Sequence, residues 1–158
     1  MRLSLHRKIN LLFLFFFFLH SAPYAQTKGY IHKYRPIADS LSQVYDIPAS
    51  VMLGVAVVES SSGTSRTARL LNNHFGIVGK NNLKQTHKIK TRYKQYLSAL
   101  ASYIDFCELI RRRKFYSALK KNADTLLWID AISRSGYSEV PSVWKQRVIE
   151  VIKKNNLK

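Results

Sequence analysis

The chain has one cysteine, Cys107, in 158 residues, which excludes an internal disulfide. Its neighbours Ile104, Phe106 and Ile110 point to a buried helix face, where a thiol serves packing rather than nucleophilic chemistry. Acidic residues are also scarce, with 9 Asp and Glu against 26 Lys and Arg and a formal net charge of +17. No set of His, Cys and carboxylate residues has the spacing of a metal site, so no metal and no cofactor is expected. His74 alone reads as a loop residue. Internal repeats and low-complexity segments are missing after the N-terminal stretch.

A long apolar run is missing too. Ile9–Leu19, broken by Asn10, is shorter than the roughly 20 residues needed to span a ~30 Å hydrocarbon layer. Arg2, Arg7 and Lys8 precede it, and small residues lead to Ala25-Gln26. This is the pattern of an export signal over residues 1–25, with an uncleaved anchor as the alternative. No cysteine stands at the cut for lipid attachment. The protein is therefore expected to be periplasmic or secreted, touching the membrane only through that signal. Residues 26–158 suffice for one compact domain, expected as a monomer.

Removing Arg2, Arg7 and Lys8 leaves 23 basic and 9 acidic residues, a net charge of +14. Such a field gathers polyanions. Nucleic acid would be the default partner of a cytosolic protein this basic, and export argues against it. Outside the membrane the polyanions are peptidoglycan, with its free carboxylates, and acidic lipid head groups. A Lys-rich surface that only maintains solubility is the plainer reading.

Periodicity gives a mostly helical domain. Tyr34, Ile37, Ala38, Leu41 and Val44 share one helix face, ending near Asp46. Pro48 opens a second helix that runs to about Ser60, is apolar on most faces and is expected at the centre of the core. Gly54 within it implies close helix approach. Ser65 caps a short helix over Arg66–Leu71. From Ile77 to Tyr96 the helical period disappears, and the segment reads as a small extended, hairpin-like lobe or a mobile flap. Lys80, Lys84, Lys88, Lys90 and Arg92 make it basic. Ser98 starts a strong helix through Leu100, Tyr103, Phe106 and Ile110. Shorter helices follow over Phe115–Asn122 and Asp124–Ser133, the latter closed by Gly136. Pro141 opens the last helix, with Val143, Trp144, Val148 and Val151 on its inner side.

The chemistry concentrates between Val57 and Gly79. Glu59 ends the apolar run Val51–Val58, and two turn segments rich in Gly, Ser and Asn follow. Burial against hydrocarbon raises a Glu from about 4.3 toward roughly 6, so that it can hold a proton at neutral pH and act as a general acid; a helix that ends in a solvated Glu is the alternative on local pattern alone. Asn72, Asn73 and the backbone around Gly76 can offer amide hydrogen bonds to N-acetyl and hydroxyl groups. Phe75 reads first as core, because Ile77 continues its burial, and second as a sugar platform. Tyr137, carried by a turn, can stack on a sugar ring or orient an acetamido group.

Glu59-Ser60-x-x-Gly63-x-Ser65, Ala68 and Asn72-Asn73-x-Phe75-Gly76-Ile77-x-Gly79 together resemble the catalytic segment of family 73 glycoside hydrolases. These are endo-β-N-acetylglucosaminidases of bacterial cell walls, and they include the hydrolase domain of flagellar assembly proteins. Tyr96-x-Ser98, Ser102-Tyr103 with Asp105, and Ser135-Gly136-Tyr137 before Pro141 extend the likeness over about residues 30–155. The resemblance implies a lysozyme-like helical domain that cuts the β-1,4 bond after N-acetylglucosamine in peptidoglycan. It implies Glu59 and Tyr137 as catalytic residues, and Ser60, Asn72, Asn73, Phe75, Gly76 and Tyr96 as substrate-binding ones.

The chain departs from that family in four places. Gly79–Ile104 contains no Asp or Glu, although the family's second carboxylate is expected in the lobe. Glu139-Val140 replaces Thr-Asp, Val143 stands where an aromatic is expected with Trp144 next to it, and Phe106 takes a place often held by His. Either Glu139 acts as a remote base or the substrate's own 2-acetamido oxygen attacks, and the second route is favoured. A lytic transglycosylase and a noncatalytic wall-binding protein are the competing readings.

Overall fold

The computed structural model describes the backbone of residues 5–157 and the side chains of residues 24–157. The proposed export signal therefore lies outside the described side chains, apart from Tyr24 and Ala25. Eight helices are described: α1 (Leu5–Tyr45), α2 (Ala49–Ser60), α3 (Arg66–Leu71), α4 (Leu83–His87), α5 (Ala99–Arg111), α6 (Tyr116–Leu119), α7 (Thr125–Arg134) and α8 (Pro141–Lys154). Helix α1 begins well before Tyr34, the first residue of the periodic stripe read from the sequence. Tyr30 is buried on the same face as Tyr34, Ala38 and Leu41, so the core-facing stripe starts at least one turn earlier.

Helix α2 is the central element, buried along its whole length except at Val58 and Glu59. It lies against α1, α7 and α8. Gly54 lets α8 approach, because a Cβ there would stand 2.7 Å from Cγ1 of Ile152. Helix α5 adds Tyr103, Phe106, Cys107 and Ile110 to the core, and α7 adds Trp128, Ile129 and Ile132. Cys107 faces Met52, 3.4 Å from its sulfur. On α8 the inward residues are Trp144, Val148 and Ile152. Val143 is exposed, contrary to the expectation above, because the buried stripe of α8 runs through Trp144, Val148 and Ile152 and leaves Val143 off that face. Ile104 likewise sits on the outer side of α5.

The caps explain several boundaries. Ser65 accepts from Ala68 N, Ser98 from Ala101 N, and Asp124 from Leu126 N and Leu127 N. The lobe between Ile77 and Tyr96 contains a single antiparallel bridge, Val78 with Tyr93, rather than two full strands. Gly79 N donates to Arg92 O and Lys94 N to Ile77 O, at 2.9 and 2.8 Å. Helix α4, which the sequence pattern did not disclose, fills the excursion and buries Leu83. Asn81 donates to both Thr91 O and Tyr93 O, so the supposed flap is pinned by side-chain amides as well as by apolar burial. Among the described residues, no helix is long and apolar enough to cross a membrane.

Candidate active site

Helix α2 carries Glu59 out of the core on its last turn. The chain then reverses tightly, with Ser61 and Ser62 both in the left-handed region. Ser60 holds this reversal together: its Oγ donates to Ala56 O at 2.6 Å and accepts from Gly63 N at 2.8 Å. Ser60 is fully buried, so its expected contact with substrate gives way to a part in shaping the turn. Glu59 is half-buried, and its Oε1 accepts a hydrogen bond from Nε1 of Trp144 at 2.7 Å. Burial raises its carboxyl above the ordinary range, and the indole N–H partly opposes that rise.

The loop after α3 forms the neighbouring wall. Asn72 closes α3 in the left-handed conformation and donates from Nδ2 to Tyr96 O at 3.1 Å. Asn73 is fully buried. Its Nδ2 donates to Ile77 O and Lys94 O, both at 2.8 Å, while Oδ1 accepts from Ile77 N at 3.1 Å and Phe75 N at 3.4 Å. Both amide protons and the carbonyl are thus used within the protein, and Asn73 fastens the base of the lobe instead of facing sugar. Phe75 is core, stacked on Phe106 with centroids 4.3 Å apart. Gly76 has φ +67°, and a Cβ there would stand 3.2 Å from Glu59 Oε2 and 3.9 Å from Tyr93 Cε1. Gly76 therefore lies beside the second oxygen of the carboxyl, with Tyr93 on the lobe next to Gly76.

His74 points away from this wall into a buried aromatic cluster. Its Nδ1 meets Tyr30 OH at 2.8 Å, and Tyr30 OH meets Tyr103 OH at 3.2 Å.

Tyr137 donates its O–H to Phe75 O at 2.8 Å, and its ring lies 5.3 Å from that of Trp144. The phenol proton is therefore committed to the backbone, and only the oxygen lone pairs can meet a ligand. The phenol is pushed well above its usual range by burial first, with the Glu59 charge adding to the effect. Tyr96 is buried and donates to Asp105 Oδ2 at 2.7 Å. Lys94 also reaches Asp105 Oδ2 at 2.7 Å. These two bonds tie the lobe to α5 and engage Asp105. Glu139 is exposed and pairs with Arg92 at 3.6 Å, joining the α7–α8 turn to the lobe.

One residue beside Glu59 was not among the sequence-derived site residues: Trp144. Trp144 carried a signal, since residues 144, 148 and 152 mark the inner stripe of α8. Nothing local linked it to an acid 85 positions away.

Residues 35–157 match the sequence profile of the glucosaminidase family, described as mannosyl-glycoprotein endo-β-N-acetylglucosaminidase. No curated protein matches the sequence significantly. The catalytic domain of the autolysin Auto from Listeria monocytogenes superposes with a TM-score of 0.70 at 20% identity, covering 84% of this chain and 85% of that one. A C-terminally truncated glycoside hydrolase domain of FlgJ from Salmonella typhimurium gives 0.66 at 19% identity, covering 84% and 99%. A type VI secretion system effector–immunity complex from Pseudomonas protegens gives 0.59 at 24% identity, covering 83% and 94%. At such identities the likeness is one of fold, here the mainly helical, lysozyme-like architecture with a small lobe.

Proposed function

The chain belongs to the glucosaminidase family, and from that premise we propose that it hydrolyses peptidoglycan at the β-1,4 bond after N-acetylglucosamine, with Glu59 as general acid. The observation that carries this reading is the Glu59 carboxyl itself: half-buried, raised by desolvation, held at Oε1 by Trp144 and open at Oε2 beside Gly76. A raised carboxyl can carry a proton to a leaving oxygen near neutral pH.

In this scheme Oε2–H protonates the glycosidic oxygen as the C1–O bond breaks, and the 2-acetamido carbonyl oxygen closes onto C1. Water then adds to C1, the acetamido oxygen leaves, and the water's second proton returns to Glu59. No protein carboxylate is needed as nucleophile. That suits a site where Asp105 is engaged by Lys94 and Tyr96, and Glu139 is exposed and paired with Arg92. The likeness to an autolysin domain favours wall glycan as substrate. Export through residues 1–25 belongs to the same proposal.

The test is digestion of purified wall, with mass analysis of the fragments, by the unmutated protein and by Glu59→Gln. Reducing ends at N-acetylglucosamine that disappear in the variant support the proposal. Anhydro-sugar ends identify a lytic transglycosylase, a reading that the lack of any carboxylate from Gly79 to Ile104 also favours. Binding without cutting by both proteins rejects catalysis.

A further inference from the structure

Glu59 has two oxygens, and a general acid must present its proton on the one facing the leaving group. Oε1 accepts the indole N–H of Trp144 at 2.7 Å. An indole N–H has no acceptor capacity, so the oxygen opposite it has to offer a lone pair. Oε2 lies on the other side, where Gly76 contributes no side chain, and no donor among the described residues reaches it. We propose that Trp144 is a positioning residue that fixes Oε2 as the proton-bearing oxygen of Glu59 and aims it toward Gly76. This rests on the reading of Glu59 as general acid.

The indole is held in place for such a task. Trp144 is 5% exposed, on a helix that approaches α2 closely at Gly54. Its ring lies against Tyr137, and the Tyr137 O–H is fixed to the Phe75 carbonyl one residue before Gly76. The bond that aims the acid is thus braced by Tyr137, itself tied to the residue before Gly76. The N–H also favours the carboxylate and so limits how far burial raises Glu59. The other titratable group described beside Glu59 is a phenol, Tyr137 on the α7–α8 turn. Among the described residues no cation contributes to the Glu59 shift, which leaves the indole as its principal polar partner.

Trp144→Phe keeps an aromatic ring and deletes the donor. KM for wall fragments should hold, kcat should fall roughly 10-fold or more, and the alkaline limb of the rate profile should move to higher pH. A purely structural role for Trp144 leaves that limb in place. Carbon-13 NMR of the Glu59 carboxyl should show a higher titration midpoint in Trp144→Phe than in the unmutated protein. This readout needs no turnover, so it decides the proposal even if the unmutated protein cuts no wall and the proposed function fails. If the variant does not fold, the unmutated protein suffices. The indole N–H resonance of Trp144 should follow the Glu59 titration, while that of Trp128, bonded to Asn122 O, should not. Equal carboxyl midpoints, or a Trp144 resonance that ignores Glu59, overturn the proposal.

Discussion

A methyl group on the Cα of Gly76 would stand 3.2 Å from Oε2 of Glu59. The same residue has φ +67°, a region that costs an L-residue roughly 1–2 kcal/mol. Gly76→Ala should therefore lower stability by about that amount and depress turnover further, because the methyl crowds the oxygen that meets the leaving group. Urea unfolding alongside kcat on wall fragments checks both. Unimpaired turnover in a folded Gly76→Ala protein would mean that the leaving group approaches Glu59 from another side.

Glu59→Gln should separate activity from stability. A carboxyl whose pKa is raised by folding binds its proton more tightly in the native state than in the unfolded one. Native stability is then favoured at low pH and loses that contribution as pH rises through the folded value. Gln carries no charge to desolvate and can still accept from Trp144. The variant should be at least as stable as the parent at pH 7 and should lose about 10²–10⁴-fold in rate. A destabilised Glu59→Gln protein would show that burial is not what sets this carboxyl.

Asn73 should matter to the lobe rather than to sugar. Its amide closes on Ile77 and Lys94 from one side while its carbonyl receives Ile77 N. Asn73→Ala leaves Lys94 O, Ile77 N and Phe75 N without this partner, a cost of about 2–4 kcal/mol. Hydrogen exchange at Gly79 N and Lys94 N, the bonds that close the lobe, should quicken in the variant. Fast exchange elsewhere with an unchanged lobe would contradict this assignment.

The pair Asn72-Asn73 shows how far the sequence was legible. Two identical side chains side by side both read as sugar ligands, yet one closes α3 and the other is fully buried. Features that act within a helical turn were legible: the apolar run of α2, the caps Ser65 and Ser98, and Pro141 opening α8. Glu59 stood out for the same reason, as an acid ending an apolar run. The Trp144 contact, the Asn73 pins and the Tyr96–Asp105 bond join separate elements, and no period or cap encodes such pairings. Helix α4 escaped notice because, with Leu83 its one buried residue, it shows no repeating apolar face.

His74 gives the fold an acid limit. It is buried among Tyr30, Tyr34 and Tyr103, near Lys33, and burial followed by that lysine's charge holds it down at about 4. A depressed histidine is neutral in the folded protein while the unfolded chain already binds a proton. Its contribution is whole above the ordinary value near 6.5, declines as pH falls below it, and is gone at about 4. Unfolding midpoints in urea should drop steadily between pH 6.5 and about 4, and His74→Leu should flatten that part of the curve. An equally steep profile in His74→Leu would assign the acid limit to other groups.

The last question is what attacks C1. The Tyr137 proton is spent on Phe75 O, so the phenol cannot donate to an acetamido oxygen; its lone pairs remain able to accept an acetamido N–H. Accepting that N–H holds the group with its carbonyl oxygen toward C1 and steadies the positive charge that develops as the ring closes. Tyr137→Phe should then cut turnover more than it weakens binding, the mark of a contact made chiefly in the transition state. Glu139 is 90% exposed at its side chain and paired with Arg92 at 3.6 Å, an arrangement of small energetic consequence. Glu139→Gln should therefore be nearly silent on intact wall. De-N-acetylated wall separates the two routes, because it removes the internal nucleophile and leaves Glu139 untouched. It should be cut far more slowly by the unmutated protein, with little further loss from Tyr137→Phe. Rapid cleavage of that polymer, together with a damaging Glu139→Gln, would transfer the role of base to Glu139 and end the substrate-assisted scheme.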